Sequence, residues 1–346
     1  MDLERFLRDA ARIPGVSGNE ARIGAWLAEQ FRPLADEVSI DRMQNVIARV
    51  GSEGPKVIIC AHQDEIGLVV TNIDDDGAIR FYRNGGVDPR ILPGLEVEIQ
   101  TRDGALYGVV GAKAPHLLTR EEAGKPVNYE TLHIDVGLPA DEVRQKVRVG
   151  DPIVMLAESQ SLANGRMAGK TMDDRASVAA MLIAAEELGR MKVKMQAYFV
   201  STAQEEVGSY GAWAAGNGVD PDWAIAIDVT HGEGPATGAF EAFEMDKLTI
   251  ERGPFIHRAL GKKMEETAEK YHIPYNISVS AGNTWTDADR LVFARGGIPS
   301  TLVSIPLRYM HTTVETLDTA VIRDSGRLMA MMIADMAEDW EEFAWC

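Results

Sequence analysis

Residues 57–61 read Val-Ile-Ile-Cys-Ala, an unbroken apolar run that follows a Gly/Pro-rich turn and gives way at once to His62, Asp64 and Glu65. So short and so apolar a run marks a strand buried on both faces, with Cys60 as a small core residue. Strands recur later, at 194–202, 223–229, 276–280 and 299–305, and helical patterns stand among them at about 173–190, 209–216, 257–271 and 316–341. Alternating strands and helices imply a largely parallel or mixed sheet covered on both faces. At the amino terminus an amphipathic helix over 2–13 stops at Pro14 and Gly15. Ser17 or Asn19 is expected to cap a second helix that buries Leu27 and Phe31.

The texture changes after about residue 70. The segments VVTNI, AIRFY, LEVEIQ, ALYGVVGA and TLHIDVG are short and β-rich, and the turn signals DDDG, NGG, RDG and LPG separate them. Only 140–147 reads as helix there. Closely spaced short strands predict a small barrel or sandwich. The expected architecture is therefore one α/β domain, residues 1–70 and 165–346, interrupted by an inserted all-β unit at 71–164. A chain of 346 residues is comfortable for two domains.

The net charge of −18 argues against a nucleic-acid partner, which would need a basic face, and suits carboxylates that hold cations. No apolar run approaches the ~18 residues of a membrane span. The opening MDLERFLRDA is not a secretory signal. Two cysteines, Cys60 and Cys346, make no disulfide framework, so the expected compartment is the cytoplasm.

In open α/β sheets, ligands bind at the carboxyl ends of the strands. His62 and Asp64 follow the first apolar run and, two apart, share a side of an extended segment. A carboxylate there can fix the tautomer of the imidazole. Asp173 and Asp174 open a helix, Glu205 and Glu206 follow the 194–202 strand directly, Asp228 interrupts an apolar strand, and His311 stands in the loop before the last helix. Each has a plain reading alone: a cap, a solvated turn, a loop histidine. Together, five strand-to-loop junctions supply two histidines and several carboxylates, which suits two divalent ions bridged by one carboxylate, with a position open to water. His231 reads as a loop histidine, and His116, His133, His257 and His272 as structural or surface residues. A GxSxG elbow, a Walker A loop, a dinucleotide fingerprint and an HExxH motif are all missing from the sequence.

These residues, in order, resemble metallopeptidase family 42, the tetrahedral-type di-metal aminopeptidases. The matching pieces are AHQDEIG, MDDR, QEEVGSYGA, AIDVTH, TDAD and RYMHTTVE, supported by GGVDPRILPG, LHIDVG and GDPIVM, over about residues 5–340. The resemblance implies a mixed sheet covered by helices, of the di-zinc exopeptidase kind, with a β-barrel insertion involved in assembly. By the same resemblance, Asp173 bridges two divalent ions, Glu206 and His311 complete one, and His62 and Asp228 complete the other. The ions are zinc first, with cobalt or manganese as alternatives. Glu205 is the general base, Asp64 orients His62, and the Asp173–Asp174 bond is expected to be cis. Short peptides are the expected substrates, and a dimer-based homo-oligomer reaching a dodecamer is the expected assembly. Two places depart from the family: Trp285, where glycine-rich sequence is common, and Thr312–Thr313, where Ser–Pro is common. A di-metal hydrolase of another substrate, matching an endoglucanase-like label, and a non-catalytic assembly protein are the alternatives.

Overall fold

The computed structural model describes all residues except 192, 236, 239–241, 341 and 344–346, so Cys346 lies outside the described residues. Four parallel strands form its centre: Gln196–Thr202, Lys56–His62, Trp223–His231 and Ser300–Arg308. Antiparallel strands extend the sheet on both sides. Val46–Val50 and Glu37–Ile40 lie beyond Gln196–Thr202, and Glu315–Asp318, Arg166–Gly169 and Gln160–Ser161 lie beyond Ser300–Arg308. Leu248–Arg252 and Tyr275–Val279 branch from Ser300–Arg308.

The apolar run at 57–61 explains why both faces are covered. Val57, Ile59 and Ala61 point into one core with the helices Leu3–Ala11, Ala21–Phe31, Met172–Met191, Arg258–Lys270 and Thr319–Asp339. Ile58 and Cys60 point into the opposite core, with Ala212 and Ala215 of the helix Tyr210–Val219 and with Leu291. A period of two with no polar member leaves neither face for water. Trp223, Ile225 and Ile227 repeat the pattern against Ala224 and Ala226 on the neighbouring strand.

The β-rich middle folds as a closed six-stranded barrel. Its order is Gly67–Ile73, Ile79–Asn84, Leu132–Asp135, Gly104–Ala112, Glu96–Thr101 and Pro152–Met155. Leu68, Val70, Ile79, Phe81, Val97, Ile99, Val110, Ile134 and Ile153 fill its interior. Alternation inward and outward along each strand produces that core.

Two expectations are corrected. The second helix is not capped by Ser17 or Asn19: Glu20 holds the cap position without a side-chain bond, and the Ser17 hydroxyl donates instead to Asp64, 2.6 Å away. The last helix begins at Thr319, because Glu315–Asp318 pairs as a strand and Asp318 caps the helix through Ala320 N.

Candidate metal centre

The parallel strands run in register, so their carboxyl ends meet at one place. Thr202 sits opposite His62, and Asp228 opposite Ser304. His62 ends its strand, Glu205 and Glu206 follow the end of the next, and Asp228 is near the end of the third. Asp173 and Asp174 begin the long helix with non-helical backbone angles, and the peptide bond between them is cis.

The Asp173 carboxylate faces two histidines with its two oxygens. Oδ1 is 3.0 Å from His62 Nε2, and Oδ2 is 3.2 Å from His311 Nε2. His311 Nε2 also lies 3.4 Å from Glu206 Oε2. On the other side, His62 groups with Asp174 and Asp228. In that group, and in His62–Asp173–Glu206, the candidate ligand atoms lie within 4.8 Å of one another. Glu205 stands beside both groups, with Oε2 3.9 Å from His62 Nε2 and Oε1 accepting from the Ser209 hydroxyl at 3.0 Å.

The Asp64 carboxylate works mainly on backbone. It accepts from Ser17, from Glu205 N at 3.0 Å and from Glu206 N at 3.3 Å, so it anchors the turn that carries both glutamates. Its relation to His62 is looser: Nδ1 is 3.5 Å from the Asp64 carboxylate and 3.1 Å from the Asp64 backbone carbonyl. The carbonyl, at hydrogen-bond distance, is the closer acceptor for the Nδ1 proton.

Three further contributors stand outside the expected ligand set. Glu315 is buried, and its two oxygens accept from Asp173 N (3.1 Å) and His311 N (2.9 Å), so one carboxylate ties two distant segments. Gly86, on the barrel side, gives its carbonyl to His311 Nδ1 at 3.1 Å, and a Cβ there would strike the imidazole. Asp174 is wholly buried. One of its oxygens accepts from His62 N at 3.1 Å, and the other has no hydrogen-bond partner among the described residues. His231, expected in a loop, ends the Trp223–His231 strand and lines a cavity that also takes in His62, Asp173, Glu206 and His311. At the departure Thr312–Thr313, the Thr312 hydroxyl donates to Tyr309 O (2.6 Å) and accepts from Val314 N (3.2 Å), which closes the turn that presents His311.

The electrostatics of this cluster are those of a cation site. Burial, then Asp228, drives the Asp174 carboxyl well above its ordinary value, and burial drives Asp228 and Glu205 up as well. Burial and the neighbouring Asp173 push Glu206 up to about 8. Asp173 alone moves down: burial opposes ionisation, but His311 and His62 outweigh it. Burial would lower His311, yet Asp173 and Glu206 push it up to about 10. Crowded buried carboxylates with too little positive charge are costly, and a bound cation would offset that cost. Mixed imidazole and carboxylate donors suit zinc, cobalt or manganese.

Residues 44–328 match the family described as M42 glutamyl aminopeptidase. The chain belongs to this family. It is 35% identical over 337 residues to the lysyl aminopeptidase of Pyrococcus furiosus, covering 96% of each chain. Among solved structures, the TET aminopeptidase of a marine sediment thaumarchaeote superposes with a TM-score of 0.90 at 30% identity, over 99% of this chain and 100% of that one. The TET1 peptidase of Pyrococcus horikoshii, described as assembling into a tetrahedron or a large octahedral shell, gives 0.84 at 30% identity, over 96% and 99%.

Proposed function

We propose that this chain is a metal-dependent aminopeptidase that removes N-terminal residues from short peptides. The observation that carries the reading is the Asp173 carboxylate, with one oxygen turned to His62 and the other to His311. That disposition supports a bridge between two cations. His62 and Asp228 would hold one, and Glu206 and His311 the other, with Asp174 a competitor for the His62–Asp228 side. Two bound divalent ions would supply a water acidified toward neutrality and a polarised scissile carbonyl.

Glu205 is the general base of this reading. Its Oε1 is occupied by Ser209, which leaves Oε2 directed toward the cluster. The attacking water gives its proton to Glu205 as its oxygen bonds to the carbonyl carbon. The C–N bond then breaks, and Glu205 returns the proton to the leaving amine nitrogen. Asp64, through the backbone of Glu205 and Glu206, holds that carboxylate in place.

The test is hydrolysis of aminoacyl chromogenic substrates by metal-stripped protein, with and without zinc, cobalt or manganese. Metal-dependent release from free, but not acetylated, amino termini is expected. Glu205→Gln should keep its metal and lose about 10²–10⁴-fold in kcat. Full turnover in that variant would sink the mechanism. Failure of every metal to restore turnover would sink the activity. We further propose that the inserted barrel, whose strands run from Gly67 to Met155, serves assembly.

A further inference from the structure

We propose that Arg290 binds a carboxylate carried by the peptide substrate, an inference that rests on the aminopeptidase reading above. A cavity of about 830 Å³ opens over the candidate metal centre, within the roughly 300–1,000 Å³ of small-ligand pockets. Its walls carry Asp173, Glu205, Glu206, Asp228 and Asp289, together with histidines, and among the described residues that line it Arg290 is the only lysine or arginine.

The guanidinium is held but not neutralised. Nε donates to the carbonyl of Gly208 at 2.9 Å, and the group lies 5.9 Å from the centre of the Tyr210 ring. The adjacent Asp289 does not pair with it. Its oxygens instead accept from Thr284 N (2.8 Å), the Thr284 hydroxyl (2.7 Å) and Trp285 N (3.0 Å). Trp285 itself has a positive φ of 59° and is 83% exposed at the cavity wall. The terminal nitrogens of Arg290 make no hydrogen bond among the described residues, so the fork that matches a carboxylate remains available.

Position adds to the argument. Gly208 belongs to the turn of Glu205, whose carbonyl accepts from Gly208 N at 2.8 Å, so Arg290 is braced against the segment that carries the base. The substrate's free amine must approach the metal cluster. A second anchor on the cavity wall therefore meets a carboxylate elsewhere on the peptide. That group is either the side chain of an acidic residue or the terminal carboxylate of a short peptide. The recognising chemistry is the same in both cases: a bidentate, charge-assisted pair at a partly exposed site.

The experiment measures kcat/KM for paired substrates with the metal-loaded wild type, Arg290→Gln and Arg290→Lys. One pair is a Leu–Leu dipeptide and its C-terminal amide. The others are glutamyl and glutaminyl anilides, and Leu–Asp-amide and Leu–Asn-amide. The wild type should favour the carboxylate member of at least one pair by roughly tenfold, through KM, and less so at high salt. The pair that responds identifies the source of the carboxylate. In Arg290→Gln the ratio within that pair should collapse toward one, and Arg290→Lys should keep part of it. An equal loss on every substrate would make Arg290 a strut for the Glu205 turn and overturn the proposal, as would a wild type with no preference in any pair. Calorimetric binding of the same pairs to the Glu205→Gln protein reads the preference without turnover. Absent turnover of a neutral substrate thus sinks the aminopeptidase reading separately from the role of Arg290.

Discussion

Glu315 shows how much of the centre depends on a residue outside the candidate ligand set. Its carboxylate spans two backbone amides, those of Asp173 and His311, from segments far apart in the chain. Burial pushes its carboxyl well above the ordinary value, with Asp173 adding to the effect. A glutamine can accept from only one of the two amides, since its other terminal atom is a donor. Glu315→Gln is therefore expected to weaken binding of one ion by about 10–100-fold while leaving the other in place. Metal titration by calorimetry reads this directly, and two unchanged affinities would remove the role. Glu20 gives a second prediction. Its Oε1 accepts from Gly18 N (2.7 Å) and Gln204 N (3.1 Å), and burial, with Asp64 nearby, pushes its carboxyl up to about 7. Its folded value lies above the unfolded one, so its stabilising contribution is complete below the ordinary glutamate value and is lost as pH rises through about 7. Glu20→Gln keeps the acceptor without the charge. It should melt like the wild type near pH 4.5 and be more stable at pH 8 by about 1–2 kcal/mol. Equal melting at both pH values would refute the assignment.

At the scale of elements, the legible parts were those with a period. The 57–61 run, the strand at 223–229 and the long helix from 173 carry patterns that local chemistry enforces, and the barrel strands alternate around their turns. Glu37–Ile40 is mostly exposed, and Glu315–Asp318 reads Glu-Thr-Leu-Asp, so neither has an apolar signature, and partner strands alone make them strands. The site divides the same way. His62, Glu205, Glu206 and Asp228 stand at or just past strand ends, where chemistry is expected, whereas Glu315 and Gly86 reach the cluster only through packing across the chain. Gly86 ties the barrel to the catalytic sheet. A Cβ there would meet Nδ1 and Cε1 of His311, and no positive φ forbids alanine at this position. Gly86→Ala is expected to displace the imidazole and reduce metal affinity by about 10–100-fold with little change in barrel folding. Circular dichroism alongside metal titration checks this. Normal metal affinity would show that the ring has room to move.

For the whole molecule, the barrel surface poses the remaining question. Tyr82, Tyr107, Val109, Leu117 and Val127 are large apolar side chains exposed on this one unit. Scattered apolar residues need no explanation, and these are the kind of group that a subunit interface on the inserted unit would bury. The net charge of −18 opposes non-specific association, so any oligomer must bury enough apolar area to overcome repulsion. A closed homo-oligomer seated on the barrel, as proposed above, would meet both conditions. Light scattering at micromolar concentration should then report about 450 kDa, twelve copies of the 37.8 kDa chain. Tyr107→Glu and Leu117→Glu should release smaller species that retain hydrolysis of aminoacyl substrates, because the candidate ligands belong to the α/β sheet and its loops, apart from those positions. A wild-type mass of one or two chains would reject the dodecamer. A dodecamer unaffected by both substitutions would move the interface away from Tyr107 and Leu117.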